Sequence, residues 1–196
     1  MTAKNDSAPD DGLGLTLEVK KSLLKWCRDI LSAKLEGNEI PPGPDLGQRK
    51  GGVFVTLKRK GRLRGCIGSF NFSASLSDSI REMVQAAGFN DYRFGPLAKE
   101  ELNDLDITVS ILTEPKALNS LDDLIIGRDG LYLIHPRGRG VLLPVVAVEQ
   151  GWSAIEFASH TAMKAGLPPK AYKDPEAKLL VFTAPAFSTD SSENDI

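Results

Sequence analysis

Apolar and polar positions along this chain follow two periods, and the switches between them delimit the elements. Over residues 15–35 the apolar side chains Val19, Leu23, Trp26, Cys27, Ile30 and Leu35 recur every three or four positions, as in an amphipathic helix, with Thr16 as its N-cap. Ile40-Pro41-Pro42-Gly43-Pro44 can neither continue a helix nor enter a central strand, so it predicts a loop. Residues 52–58 alternate as a strand, Arg59-Lys60-Gly61-Arg62 turns it, and residues 63–70 return. Ser75-Leu76-Ser77-Asp78 opens a second helix whose apolar face is Leu76, Ile80, Met83, Val84 and Ala87. After an irregular stretch at 89–97 come a short acidic helix near 99–102 and a strand over 105–112, which Pro115 ends.

The pattern then recurs. Residues 130–135 read as a strand, Pro136-Arg137-Gly138-Arg139-Gly140 as a turn, 141–143 as the return, and 153–165 as a helix with Ile155 and Ala162 toward the core. Gly52 and Gly130 are 78 positions apart, as are Ser75 and Ser153, and Val53/Leu131, Phe54/Tyr132, Val55/Leu133 and Arg59/Arg137 align at that offset. Two duplicated strand-turn-strand-helix units fit this spacing, and so does chance matching among Gly and Val. With a true repeat, the hairpins share one curved, barrel-like and mainly antiparallel sheet with helices outside, an α+β fold, and residues 178–187 add a closing strand beside the N-terminal helix. Residues 1–13 and 188–196, rich in Ser, Asp, Asn and Thr, read as disordered tails around a domain at 14–187.

Composition excludes more than it assigns. A chain of 196 residues with 41% hydrophobic and 26% charged content can bury one well-formed core. A net charge of −2 gives no overall attraction to nucleic acid or an anionic membrane. Cys27 and Cys66 are too few for a disulfide framework, the N-terminus lacks the apolar core of a signal peptide, and no apolar run approaches the ~20 residues of a spanning helix. These features predict a soluble, cytoplasmic protein with no membrane association.

Candidate chemistry concentrates at Leu63-Arg64-Gly65-Cys66-Ile67-Gly68. Glycine is costly inside a strand and marks a bulge or a close approach to the backbone. Arg62 and Arg64 supply positive potential that favours a Cys66 thiolate, and Gly65 and Gly68 leave the backbone open to a ligand. In a regular strand Arg64 and Cys66 share one face and Gly65 and Ile67 the other. Three readings fit: a covalent or redox thiol, an anion pocket in which Cys66 only fills space, or a packed inert thiol. Nucleophilic work also needs a base, and the chain has only His135 and His160, the latter reading as a solvated helix-surface residue.

Asp91-Tyr92-Arg93-Phe94 places an acid, a phenol, a guanidinium and a ring within four residues. Arg93 can hold a ligand by fork-like hydrogen bonds with Phe94 or Tyr92 stacking on it, or Asp91 can cap backbone amides while Phe94 plugs the core. Glu149, just before Trp152, is a candidate partner for an arginine, with Trp152 a core anchor and Cys27 a core thiol. There is no Cys-x-x-Cys, no His-x-x-x-His, no calcium loop and no phosphate or dinucleotide fingerprint, so no metal is assigned and the cofactor stays unknown.

Gly52-Val53-Phe54-Val55-Thr56-Leu57, Gly61-Arg62-Leu63-Arg64-Gly65-Cys66-Ile67-Gly68, Asp91-Tyr92-Arg93-Phe94-Gly95-Pro96-Leu97 and Leu142-Leu143-Pro144 with Glu149-Gln150-Gly151-Trp152 together resemble the AMMECR-domain family, also called protein A of the AmmeMemoRadiSam system. The resemblance covers roughly residues 15–187. It implies a cytoplasmic α+β fold with two similar β-rich repeats, a larger lobe from both chain ends and a smaller one from the middle. It also implies, as partners, a Memo-like protein and a radical S-adenosylmethionine enzyme, with an unsettled biochemical activity. The family pattern has glutamine at His160 and cysteine at Ala162, and glutamine at Val145. A mechanism needing a second cysteine is therefore absent here, and a His160 base is not a family-wide feature.

The incomplete catalytic set favours a binding or partner module that holds a small anionic ligand or a protein in an Arg/Gly/Cys groove around Arg62, Arg64 and Cys66, with Asp91, Arg93 and Phe94 nearby. The alternative is an enzyme or redox subunit with Cys66 as catalytic thiolate. A third reading, nucleic-acid binding by the basic run at 58–64, lacks the interleaved aromatics that stacking on bases requires.

Overall fold

The computed structural model describes residues 13–189, so of the tails expected at 1–13 and 188–196 the parts at 1–12 and 190–196 lie outside the described residues. The chain divides into two compact units, the first formed by the chain up to Leu112 together with the segment from Pro185 onward, the second by Thr113–Ala184.

In the first unit, helix α1 (Leu17–Glu36) starts where the Thr16 hydroxyl accepts the Val19 N–H and stops at Gly37 in the left-handed region. Strands β1 (Val53–Arg59) and β2 (Arg62–Ser69) join through Lys60 and Gly61, both at positive φ, the two-residue turn whose twist matches that of the flanking strands. Helix α2 (Leu76–Phe89) begins where the Ser75 hydroxyl accepts the Asp78 N–H. Strand β3 (Leu105–Ile111) pairs antiparallel with β1, and β8 (Ala186–Ser188) pairs antiparallel with β3, giving the order β2-β1-β3-β8. Val53, Val55 and Leu57 alternate inward with Ile107, Val109 and Ile111, and pack with Leu23, Cys27, Ile30 and Leu31 of α1 and Ile80, Met83 and Val84 of α2 in one core. Arg28 pins α1 to the start of β3 by donating to the carbonyls of Leu102 and Leu105.

The second unit holds β4 (Lys116–Ala117), β5 (Asp129–His135), β6 (Gly138–Leu142) and β7 (Lys178–Thr183) in the order β4-β7-β5-β6. Two helices accompany it, α3 (Pro144–Gln150) and α4 (Ala154–Lys164), and α4 is started by a reciprocal Ser153/Glu156 capping box. Both sheets have the same plan: the first strand of a hairpin lies between its hairpin partner and a later antiparallel strand, and a short strand closes one edge.

Several expectations are corrected. The α+β class holds, but the hairpins lie in two separate open sheets, with no closed barrel among the described residues. The single closing strand over 178–187 is two strands, β7 in the second sheet and β8 in the first, divided at Ala184-Pro185, where proline offers no N–H to a ladder. Ser188 is not part of a disordered tail: it is the last residue of β8, buried, and its hydroxyl accepts from Thr108 at 3.0 Å. Ile155 is 61% exposed; the core side of α4 carries Phe157, Ala158, Thr161 and Ala162. Between β6 and α4, where the sequence pattern predicts no element, lies helix α3, which begins at Pro144. Proline at the first helical position gives up an N–H that has no partner there anyway, and Gly151 closes the helix in the left-handed region. Among the described residues no helix is long and apolar enough to cross a membrane.

Candidate functional site

Strand β2 is irregular where its sequence is unusual. Leu57 pairs with Gly65 but Lys58 pairs with Leu63, so Arg64 is an extra residue in a β-bulge, and the even alternation that puts Arg64 and Cys66 on one face does not hold. The glycines serve close packing within the unit. A Cβ on Gly65 would sit 2.1 Å from the Ala87 carbonyl oxygen of α2, and one on Gly68 would sit 2.3 Å from the Phe54 ring. The approach that the two glycines permit is therefore filled by the protein's own backbone and ring, where the sequence suggests space for a ligand.

The loop after α2 turns back onto this strand. Asp91, with 1% of its side chain exposed, accepts the Cys66 N–H at 2.9 Å and is gripped by Arg93 through Nε at 2.9 Å and Nη2 at 2.7 Å. Arg93 Nη2 also donates to the Cys66 carbonyl at 3.1 Å, so both peptide groups of Cys66 are held by neighbouring members of one loop. The Phe94 N–H donates to the Asp91 carbonyl at 2.9 Å, and the half-buried Phe94 ring lies 5.5 Å from the Arg93 guanidinium carbon. Arg93, helped by the Cys66 and Arg93 amides, holds the Asp91 carboxyl well below the usual carboxylate range despite burial. Tyr92, between them, is 94% exposed.

Arg64 has a partner that sequence reasoning misses. Its Nε and Nη2 donate to the two carboxylate oxygens of Glu101 at 2.8 and 2.9 Å, a parallel fork, and Nη2 also reaches the Pro96 carbonyl at 3.2 Å. Glu101 further accepts the Ala98 N–H at 2.9 Å and faces Arg59 at 3.5 Å. The Arg64 fork draws its carboxyl down to about 2, against the cost of desolvation, while Glu101 in turn raises the Arg64 guanidinium. The signal was available: a half-buried strand arginine needs a carboxylate, and Glu100-Glu101 follows shortly after the 91–97 loop.

The Cys66 thiol sits 3.2 Å from the Thr56 hydroxyl, opposite it in register, and is partly exposed. Thr56 lies across from Thr108, and Thr108 from Ser188, so a row Cys66, Thr56, Thr108, Ser188 crosses all four strands on the face away from the core. Cys27 is fully buried, and burial pushes its thiol up to about 12.

The remaining candidates disperse. Arg62 is exposed beside the turn and makes no ion pair among the described residues. Glu149 is exposed near the end of α3 in the second unit. Both histidines also belong to the second unit: His160 is half-buried and stacks on Trp152 at 3.8 Å, and the buried His135 accepts the Arg137 N–H through Nδ1 at 3.1 Å. In the first unit the site therefore consists of Cys66, Asp91, Arg93, Arg64, Glu101 and Thr56, and its four charges pair internally, Asp91 with Arg93 and Glu101 with Arg64.

A family model described as AMMECR1 matches residues 24–187. A protein of Methanothermobacter thermautotrophicus is 41% identical over 90% of this chain and 97% of its own length, and Protein MK0488 of Methanopyrus kandleri is 36% identical over 94% and 95%. The crystal structure of an uncharacterised protein, PH0010 from Pyrococcus horikoshii, superposes with a TM-score of 0.77 at 34% identity, covering 90% of this chain and 94% of that one.

Proposed function

The chain belongs to the AMMECR1 family, and from that premise we propose that it is a binding module that recruits a protein partner through the Asp91–Phe94 loop and the exposed start of β2, without covalent chemistry at Cys66. The observation that carries this reading is the double clamp on Cys66. Asp91 takes its N–H and Arg93 its carbonyl, which fixes the loop rigidly while leaving Tyr92 and an edge of Arg93 outside. A rigid loop that displays an aromatic ring and a guanidinium is the composition of a binding hot spot, because little conformational entropy remains to be lost on docking.

The partners suited to this role are the Memo-like protein and the radical S-adenosylmethionine enzyme implied by the AmmeMemoRadiSam resemblance. Co-purification of the full chain with each of them tests it. Tyr92→Ala and Arg93→Gln should abolish capture and Cys66→Ser should retain it. Capture unaffected by Tyr92→Ala would sink the reading.

A second reading rests on the Thr56 hydroxyl, which lies 3.2 Å from the thiol and can donate to a Cys66 thiolate. Under that reading Cys66→Ser abolishes function with the fold and capture intact, and Cys66 is alkylated at neutral pH faster than a free peptide thiol.

A further inference from the structure

The tip of the β5–β6 hairpin, in the second unit, borders an open depression of about 480 Å³ lined in part by Ile134, His135, Arg137, Arg139, Glu176 and Lys178. Register explains its charge. Ile134 lies opposite Arg139 of β6 on one side and opposite Lys178 of β7 on the other, so the two cations flank one isoleucine on the same face of the sheet. Like charges so placed repel, and among the described residues neither makes an ion pair. Arg137, at the turn, adds a third cation, with its nearest carboxylate oxygen, on Asp174, 4.0 Å away.

A buried donor also lies in the wall. His135 Nδ1 accepts the Arg137 N–H, so the neutral ring carries its hydrogen on Nε2, which is buried and lacks a hydrogen-bond partner, the nearest oxygen of Asp174 being 3.5 Å away. The same tautomer bears on metal binding. His135, Asp174 and Glu176 bring ligand-type atoms within 4.8 Å of one another, but an Nε2 that carries hydrogen is not a metal ligand.

We propose that this depression binds a small phosphate-bearing molecule, its phosphate held between Arg139 and Lys178 with Arg137 at the mouth. The three cations outnumber the two carboxylates, Asp174 and Glu176, and the pair that flanks Ile134 makes no ion pair among the described residues, whereas a phosphate dianion offers several oxygens to share among them. Glu176 repels the anion from its own side of the depression and is left to accept hydroxyl hydrogens from the rest of the ligand. A volume in the range of small-molecule sites accommodates such a compound. This site is independent of the Cys66 loop and of the function proposed for it.

The test is calorimetric titration of the full chain with inorganic phosphate and with glycerol 3-phosphate, at constant ionic strength set by chloride. Saturable one-site binding is expected, weakened about tenfold or more in the Arg139→Ala/Lys178→Ala double variant and unchanged in Lys25→Gln, an exposed position on α1, with circular dichroism verifying the fold of each. Because both deleted side chains are exposed, the double variant should fold; Lys178→Gln alone, weakening binding severalfold, gives an independent reading. Absence of saturable binding, equal affinity in the double variant, or an equal loss in Lys25→Gln overturns the proposal. So does a tight Zn2+ site that His135→Ala removes in a chain that ignores phosphate.

Discussion

Asp91 accepts the Cys66 N–H at 2.9 Å across 25 positions of sequence, tying the loop after α2 to the most unusual strand of the protein. Asp91→Asn keeps the shape but gives up the charge that Arg93 and the Cys66 amide both use. We expect a loss of about 2–3 kcal/mol of stability, read as a lower midpoint in urea with an unchanged slope. A midpoint within error of the parent would show that the clamp is dispensable.

Arg64→Ala strands a partly buried Glu101 and should cost about 2 kcal/mol by the same measurement. Its pH dependence is the sharper reading. The folded Glu101 carboxyl titrates at about 2, below the ordinary value near ~4.3, so the stability from the pair is fully present above the ordinary value and is lost as pH falls toward 2. The gap between parent and Arg64→Ala should therefore be constant at neutral pH and narrow between about pH 4.5 and 2. A gap that persists at pH 2 contradicts the assignment.

The two glycines of β2 should respond differently to a methyl group. Gly65→Ala collides with a backbone carbonyl that cannot rotate away, and should cost more than about 3 kcal/mol or prevent folding. Gly68→Ala meets the Phe54 ring, a side chain, so Phe54→Ala in the same chain should recover part of the loss. Additive losses in that double variant would mean that the two positions do not touch.

The two cysteines should separate in a thiol titration at pH 8. Native protein should release one equivalent from a chromogenic disulfide, from the partly exposed Cys66, and denatured protein two, because Cys27 is sealed in the core. Two fast equivalents from the native chain would overturn the burial of Cys27.

Much of this architecture is legible from periodicity and caps. Thr16, Ser75 and Ser153 each announce a helix through a hydroxyl that the structure uses, and the Lys60-Gly61 turn fixes the first hairpin. The destination of a strand is less legible: β7 and β8 are nearly continuous in sequence yet enter different sheets, a choice made by partner strands far away in the chain. At the site, Cys66, Arg64, Asp91 and Arg93 stand out as residue types, but the bulge at Arg64 and the carboxylate of Glu101 arise only once β2 meets α2 and the 91–97 loop. Sequence therefore names the charges, and folding reveals that they are already spoken for.

The last strand has a consequence for how the protein is made. Strand β8 covers the edge of β3, yet the ribosome completes all of Thr113–Ala184 before Ala186–Ser188 emerges. During synthesis the first sheet must wait with β3 as an open edge, a ready template for pairing with another chain, while the second unit is still being translated. Translation order thus makes the interval between β3 and β8 the stage at which a nascent chain is most exposed to misassembly.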